Sequence, residues 1–403
     1  TWEFKLRPNV VFHDGSKFDA NDAAYSIERA RSYPNSELAS FFETVKEIKV
    51  LDNLDIRIVT KEPDPLILQK LSMVLIVPSE FGKENLENPV GTGSYKFVSW
   101  EKESKMVLEK FTNYWGNKAK FNTVEIFSVP DKNERIQMYI DGKADVLAFV
   151  PYDAVSFLQK KNYQIVTVPN LEVQFLIFNM KSPLMADLNN RKIVSLVVDQ
   201  NVLVEAVGGY AKIVREFVSD GVFGFNPKIS EHEYDTTKAE ELAMENLEGK
   251  TLQIHLPVGL DVLGEHLRTQ LDKIGVKAIV SYLEMPDLIK SMQVKKADIY
   301  FLGLKADLGD SSSFLKDIVY SKGAFNIGGY TSPEVDALIE SSSYEMDERS
   351  RLSDLQKAMS IVTEKDVIGV PLFEYENVYS LVDSLELHPR IDGFIYFDEL
   401  KTK

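Results

Sequence analysis

Two aspartates follow an apolar stretch near residue 300, and their spacing could serve ligand binding. Residues 298–302 have the composition of a buried strand, and residues 302–311 read LGLKADLGDS. A strand that breaks into a polar loop is where open α/β domains place ligand contacts. A carboxylate such as Asp307 in that loop is suited to hold an ammonium group through a charge-assisted hydrogen bond. The alternative is that Asp307 and Asp310 only form turns beside Gly309.

The elements before this loop predict a parallel sheet. Strand-like residues 251–256 precede a helical pattern that carries Leu263, Leu267 and Leu271, and residues 276–280 form the next strand. A short helix at 287–292 leads to the strand at 298–302. This β-α-β-α-β order predicts parallel strands with right-handed crossovers. The loop after residue 302 would then lie at the carboxyl edge of an α/β sheet.

Two further segments supply candidate contacts. The strand from Val173 to Asn179 carries Phe175 and Phe178, which alternation places on opposite faces. Each is either a core residue or a ligand contact. Asn326 precedes Tyr330 by four residues, and either faces a cleft or caps its own loop.

Bulk composition excludes several classes of function. The 403 residues carry a net charge of −16, so neither nucleic acid nor an anionic membrane surface is an expected partner. The chain contains no cysteine, and its five histidines are scattered without an H-x-x-x-H pair. We therefore expect no metal site, no cofactor and no thiol chemistry. The motifs G-x-S-x-G, P-loop and strand-linked G-x-G-x-x-G are also missing, which argues against catalysis.

The first thirty residues hold the most specific pattern. They contain WEFKLR at 2–7, FHDG at 12–15 and ANDAAYS at 20–26. These resemble the stretch W-x-F-x-L-R…F-x-D-G…A-x-D-V-x-x-S of the peptide/nickel class of extracellular solute-binding proteins, the receptors of ABC importers. GTGSYKF at 91–97 resembles a further landmark, with Ser94 in place of the usual proline.

The resemblance implies an α/β fold of the two-lobed periplasmic-binding-protein type (type II, cluster C), with an additional third lobe. It places the extra lobe at 1–125, ligand lobe I at 126–240 plus 375–403, and ligand lobe II at 245–372. Family members have strands before the W-x-F-x-L-R stretch, so we expect an N-terminal truncation that leaves a sheet edge or groove unfilled. No leader of basic and apolar residues opens the sequence, so localisation follows from the resemblance alone.

In peptide-binding relatives, the stretch that matches residues 303–311 runs G-W-x-x-D-x-x-D-P. By that resemblance Gly303 and Leu304 lie where the backbone pairs with a bound peptide, and Asp307 matches the aspartate that holds its ammonium. Asp310 matches the second aspartate, while Leu304 and Ser311 depart from tryptophan and proline. Lys305 is a further candidate contact, unless it pairs with Asp307 when the cleft is empty.

The implied function is an extracytoplasmic, membrane-tethered receptor, without enzymatic activity, that closes two lobes on a small solute. A peptide is the expected solute, although the class also takes chelated nickel, oligosaccharides and other organic molecules. The expected partners are the ligand and the permease subunits of an ABC transporter, and we expect the receptor itself to be a monomer. The alternatives are a hydrolytic enzyme on a similar α/β scaffold and a sensor domain that feeds a membrane kinase.

Overall fold

Backbone contacts divide the chain into two units in the computed structural model, which describes residues 1–80 and 87–403. Unit 1 comprises Thr1–Val166, Tyr379–Arg390 and Phe394–Lys403, and unit 2 comprises Thr167–Val378 and Ile391–Gly393. This division does not test the three lobes expected from the resemblance, so their boundaries stay a prediction. Among the described residues, no helix has the length and apolar character needed to cross a membrane.

Unit 1 is built on two small antiparallel sheets. Its elements are β1 (Trp2–Lys5), α1 (Ala20–Ser32), a 3₁₀ turn (Ala39–Phe42), β2 (Val45–Asp52), β3 (Asp55–Thr60), α2 (Ile67–Ser72), β4 (Tyr95–Glu101), β5 (Lys105–Lys110), β6 (Thr123–Phe127), α3 (Lys132–Ile140), β7 (Val146–Leu147) and α4 (Tyr152–Lys160). The sheets have the strand orders β1-β3-β2 and β4-β5-β6. Strands β2 and β3 are consecutive in the chain and pair as an antiparallel hairpin.

Asp19 caps the N-terminus of helix α1. The Asp19 carboxylate accepts hydrogen bonds from the Asn21 and Asp22 amides, and the Asp22 carboxylate accepts one from the Asp19 amide. This reciprocal cap satisfies amides that the first helical turn leaves free. Ala23 and Ile27 then pack into the core of the first sheet. The N-terminal motif therefore has a structural role within unit 1.

Unit 1 also contains an open groove of about 1030 Å³. It lies between β6, α3, β7 and the C-terminal stretch, with apolar lining residues such as Ile126, Leu147 and Phe397. The expectation that an upstream segment fills a groove of this kind stays a prediction.

Unit 2 is one mixed sheet flanked by helices. Its elements are β8 (Gln164–Phe178), α5 (Leu188–Val197), α6 (Gln200–Ala206), β9 (Ala211–Ile213), α7 (Thr236–Asn246), β10 (Thr251–Pro257), α8 (Asp261–Asp272), β11 (Lys277–Leu283), α9 (Met285–Gln293), β12 (Ile299–Lys305), α10 (Ser312–Phe314), a π-helical turn (Leu315–Val319), α11 (Pro333–Tyr344), α12 (Glu348–Ser360), a second π-helical turn (Ile361–Lys365) and β13 (Gly369–Leu381). The strand order is β11-β10-β12-β8-β13, and β9 pairs with β13. The first residues of β8 and the last of β13 belong to unit 1, where β13 pairs with β7 and two short strands follow, β14 (Leu385–Glu386) and β15 (Lys401–Thr402).

The predicted β-α-β-α-β block is confirmed. Strand β10 pairs in parallel with both β11 and β12, with α8 and α9 as the two crossovers. Helix α8 buries Leu263, Leu267 and Leu271 on one face of the sheet, and α9 buries Leu288 and Met292 on the other. The sheet is thus covered by helices on both faces, as parallel strands require.

Candidate functional site

Strand β12 is paired along its whole length on one side only. Its residues from Ile299 to Lys305 pair antiparallel with β8, from Phe178 to Glu172. On the other side it pairs with β10 only at Ile299 and Tyr300. Residues 301–305 therefore present an unpaired strand edge, as far as the described part of the chain shows. We call this backbone the open edge; such an edge can accept another extended strand.

Asp307 lies directly beyond the open edge. The Ala306 amide donates to the Leu171 carbonyl oxygen (3.2 Å) and the Gly309 amide to the Ala306 carbonyl oxygen (2.8 Å), which turns the chain at residues 306–309. The Asp307 side chain is exposed. Among the described residues, its carboxylate has no hydrogen-bond or ion-pair partner. A free carboxylate thus stands where an added strand would end.

Asp310, three residues later, has the opposite environment. It is 1% exposed, and its carboxylate accepts two hydrogen bonds from the Arg351 guanidinium, at 2.6 Å and 2.9 Å. The Ser312 amide donates to the same carboxylate (3.0 Å). Arg351 also donates through Nε to the Ser342 carbonyl oxygen (3.0 Å). Asp310 therefore attaches the loop to α12. Both of its carboxylate oxygens are buried and hydrogen-bonded, so neither is accessible to a ligand.

A second segment holds the same loop from the other side. The Phe223 amide donates to the Gly309 carbonyl oxygen and the Ser311 amide donates to the Phe223 carbonyl oxygen, both at 2.8 Å. The Phe223 ring lies 5.2 Å from the Arg351 guanidinium carbon, a cation–π distance. Gly224 is needed next to this contact, since it has a φ of +98° and a Cβ would lie 1.9 Å from Ser311 Oγ.

The three residues of β12 predicted as contacts lie on or beside the open edge. Gly303 is exposed, and a Cβ there would lie 2.5 Å from the Gln174 amide nitrogen. Leu304 is half-buried and packs against the core on the other face. The Lys305 ammonium donates to the Asp392 carbonyl oxygen (3.1 Å), so the alternative of a Lys305–Asp307 pair is wrong in this structure.

The structure does not bring Phe175, Phe178 and Asn326 to this edge. Both phenylalanines are 0% exposed and belong to hydrophobic clusters on opposite faces of the sheet, so neither ring offers a surface to a ligand. Asn326 caps its own loop, since its side chain accepts from the Tyr330 amide (3.0 Å) and donates to the Tyr330 carbonyl oxygen (2.8 Å). Apolar alternation and an asparagine in a loop fit a structural role as well as a functional one.

Sequence reasoning missed Arg351 and Phe223. The available signal was the spacing of Arg351, four residues before the buried Leu355, which puts a cation on the buried face of a helix. A buried cation is almost always paired. Its partner could not be read from the sequence, because Asp310 lies 41 positions away.

Two carboxyl groups of unit 2, those of Glu216 and Glu374, are buried. Glu216 is fully buried; burial raises its pKa from 4.5 to about 8, against a lowering by the Asn226 amide and the Arg215 charge. Burial likewise raises the pKa of Glu374, and the Lys212 ammonium lies 3.9 Å from its Oε1. In the described ranges, no cluster of three histidine, cysteine, aspartate or glutamate side chains could hold a metal ion.

Comparison with known proteins identifies a family model over residues 1–326, described as bacterial extracellular solute-binding proteins, family 5 middle. The glutathione-binding protein GsiB of Pectobacterium atrosepticum is 26% identical over 83% of this chain and 70% of its own length. The dipeptide-binding protein of Escherichia coli is 23% identical over 78% of this chain and 66% of its own length. The chain thus spans about two thirds of these curated relatives.

Among solved structures, the ABC transporter substrate-binding protein CtaP of Listeria monocytogenes matches with a TM-score of 0.89. The match covers 99% of this chain and 87% of CtaP at 20% identity. It confirms the predicted α/β, type II periplasmic-binding-protein-like fold.

Proposed function

This chain belongs to the bacterial extracellular solute-binding proteins of family 5, and from that premise we propose that it captures a short peptide outside the cytoplasm. In the proposed cycle two lobes close over the peptide, and the loaded receptor delivers it to the permease subunits of an ABC transporter. The receptor acts as a monomer tethered at the cell surface or in the periplasm. The relatives are binding proteins, so a hydrolase is no longer a competing candidate.

The open edge of β12, which ends at the free Asp307 carboxylate, is the observation that carries this proposal. A peptide added as a strand would satisfy the backbone groups of residues 301–305, a mode of recognition that does not depend on side chains. At about 3.4 Å per residue, five residues give the edge a length of roughly 17 Å. The edge therefore suits a peptide of about three to five residues.

Asp307 sets the direction of that peptide. An ammonium is the complementary charge for a free carboxylate, and charge-assisted hydrogen bonds are about twice as strong as neutral ones. With its amino end at Asp307, the peptide runs back along β12 and is antiparallel to it. The names of two relatives agree with this class of solute, since one binds dipeptides and the other binds glutathione, a tripeptide.

Native mass spectrometry of gently purified protein tests the proposal. We expect an adduct of a few hundred daltons that is released on denaturation and whose fragments are those of a peptide. Incubation of the protein with that peptide should leave the peptide intact. A released molecule without amino acids would contradict the peptide class, and cleavage of the peptide would contradict a receptor.

A further inference from the structure

The sheet of unit 2 has a gap next to the open edge, where β12 separates from β10. Strands β10 and β11 stay paired to their ends, at Pro257 and Leu283, and the Val258 amide donates to the Leu283 carbonyl oxygen (3.1 Å). Strand β12 leaves β10 after Tyr300. A notch therefore lies between the end of β10 and the open edge, and a strand added to β12 must enter it.

Water-exposed apolar side chains follow the ends of β10 and β11, the two strands on one side of this notch. Val258 is 47% exposed, Met285 53% and Ile289 40%; we call these three residues the apolar rim. Met285 and Ile289 lie on α9, whose Leu288 and Met292 are buried in the first hydrophobic cluster. Met285 and Ile289 thus lie on the helix that covers this face of the sheet.

The β12 side of the notch is apolar on the same face. Leu302 and Leu304 are half-buried and pack against the first hydrophobic cluster. In an antiparallel pair, directly opposite residues point to the same face. A peptide residue opposite Leu304 would therefore point its side chain towards the face that carries Leu304 and helix α9.

We propose that this notch makes the receptor selective for peptides with an apolar side chain at the second residue. The reasoning rests on the proposed function, because it needs the peptide amino end at Asp307. Residue 1 then lies opposite Lys305, and residue 2 lies opposite Leu304. Burial of an apolar side chain against exposed apolar surface is favourable roughly in proportion to the area removed from water. A polar side chain at residue 2 gains nothing there.

Isothermal titration calorimetry with two probes tests this selectivity. The probes are the tripeptides Ala-Leu-Ala and Ala-Ser-Ala, which differ only at residue 2. We expect the wild-type protein to bind Ala-Leu-Ala at least tenfold more tightly. In the double variant Val258→Ser/Met285→Ser the ratio should fall below about threefold, because the rim no longer offers apolar surface.

Val262→Ser is the matched control. Val262 is 58% exposed, but it lies on α8, which packs on the opposite face of the sheet. Its substitution should leave the tenfold ratio unchanged, and circular dichroism should show that all variants are folded. Equal affinity of the wild-type protein for both probes, or an unchanged ratio in the double variant, would overturn the selectivity while the peptide function stands. Failure of both probes to bind would overturn the selectivity together with the proposed peptide class.

Discussion

The loop after β12 contains two aspartates with opposite surroundings. Asp310 is buried and accepts two hydrogen bonds from Arg351, whereas Asp307 is exposed and its carboxylate has no partner among the described residues. The two side chains have the same chemistry and lie three positions apart. What differs is what the rest of unit 2 brings to them: α12 brings a guanidinium to Asp310 and nothing to Asp307.

This difference separates folding from binding within one loop. The anchored part, at residues 309–312, is held by Arg351 and by the backbone of Phe223. The other part, at residues 303–307, offers a strand edge and the free charge of the exposed Asp307. Substitutions in the anchored part should change stability first, and substitution of Asp307 should change binding alone.

The largest effect is expected from Arg351→Met. Removal of one partner from a buried ion pair leaves the other charge buried and unpaired, which costs about 3–5 kcal/mol. The free energy of unfolding from urea titrations should fall by that amount. Arg349→Met is the control, since Arg349 is exposed on the same helix and should change little. The double variant Asp310→Asn/Arg351→Met should recover part of the loss; full stability of the single variant would show that the pair does not anchor the loop.

Asp307→Ala should act in the opposite way. Loss of one member of a desolvated charge pair costs about 2–5 kcal/mol, so the affinity for Ala-Leu-Ala should fall about 30-fold or more. The free energy of unfolding should not change, because the side chain is exposed. Asp287→Ala, at an exposed acid of α9, controls for the change in net charge. An Asp307→Ala protein with wild-type affinity would remove the proposed ammonium contact.

A smaller, pH-dependent effect is expected in the anchored part. Glu216 supports the anchored part through Asn226. Glu216 Oε1 accepts a hydrogen bond from the Asn226 backbone amide (2.9 Å), and the Asn226 side chain donates to the Ser360 hydroxyl of α12 (2.9 Å). Between pH 4.5 and about 8 the folded protein keeps the Glu216 proton, while the unfolded chain loses it. Rising pH therefore favours unfolding, by about 1.4 kcal/mol per pH unit where the difference is a full proton.

The measurement compares unfolding of the wild-type protein and Glu216→Gln across this range of pH. Glutamine keeps an acceptor for the Asn226 amide but has no proton to lose, so the difference between the two proteins should grow in favour of the variant as pH rises. Glu231→Gln, at a side chain that is 87% exposed, should follow the wild type. Parallel curves for the wild type and Glu216→Gln would show that Glu216 is not held neutral.

The fold of unit 2 was predictable where periodicity was strong. The block from Thr251 to Lys305 alternates strand and helix patterns, and both the parallel pairing and the exposed position of Asp307 agree with the structure. The role of Asp310 was not predictable, because it depends on an arginine 41 positions later. The open edge could not be predicted from the sequence either, because the residue at which β12 separates from β10 is set by pairing between distant segments.

The phenylalanines show a different limit of sequence reasoning. Alternation correctly placed Phe175 and Phe178 on opposite faces of β8. It could not distinguish core from ligand contact, because both environments favour a large apolar side chain. In the structure the Phe175 ring packs edge-to-face against Phe217 and Phe314, at centroid distances of 5.4 Å and 5.6 Å. Only the packed helices and loops decide that this ring belongs to the core.

The central claim is that the Asp307 carboxylate holds the amino end of a peptide on the open edge. Calorimetry with Ala-Leu-Ala and its N-acetylated form, on the wild type and Asp307→Ala, measures that contact as a coupling between the two changes. We predict that acetylation weakens binding to the wild type by about 30-fold and changes binding to Asp307→Ala by less than about threefold. Equal weakening in both proteins would contradict the claim, because the ammonium would then be held elsewhere.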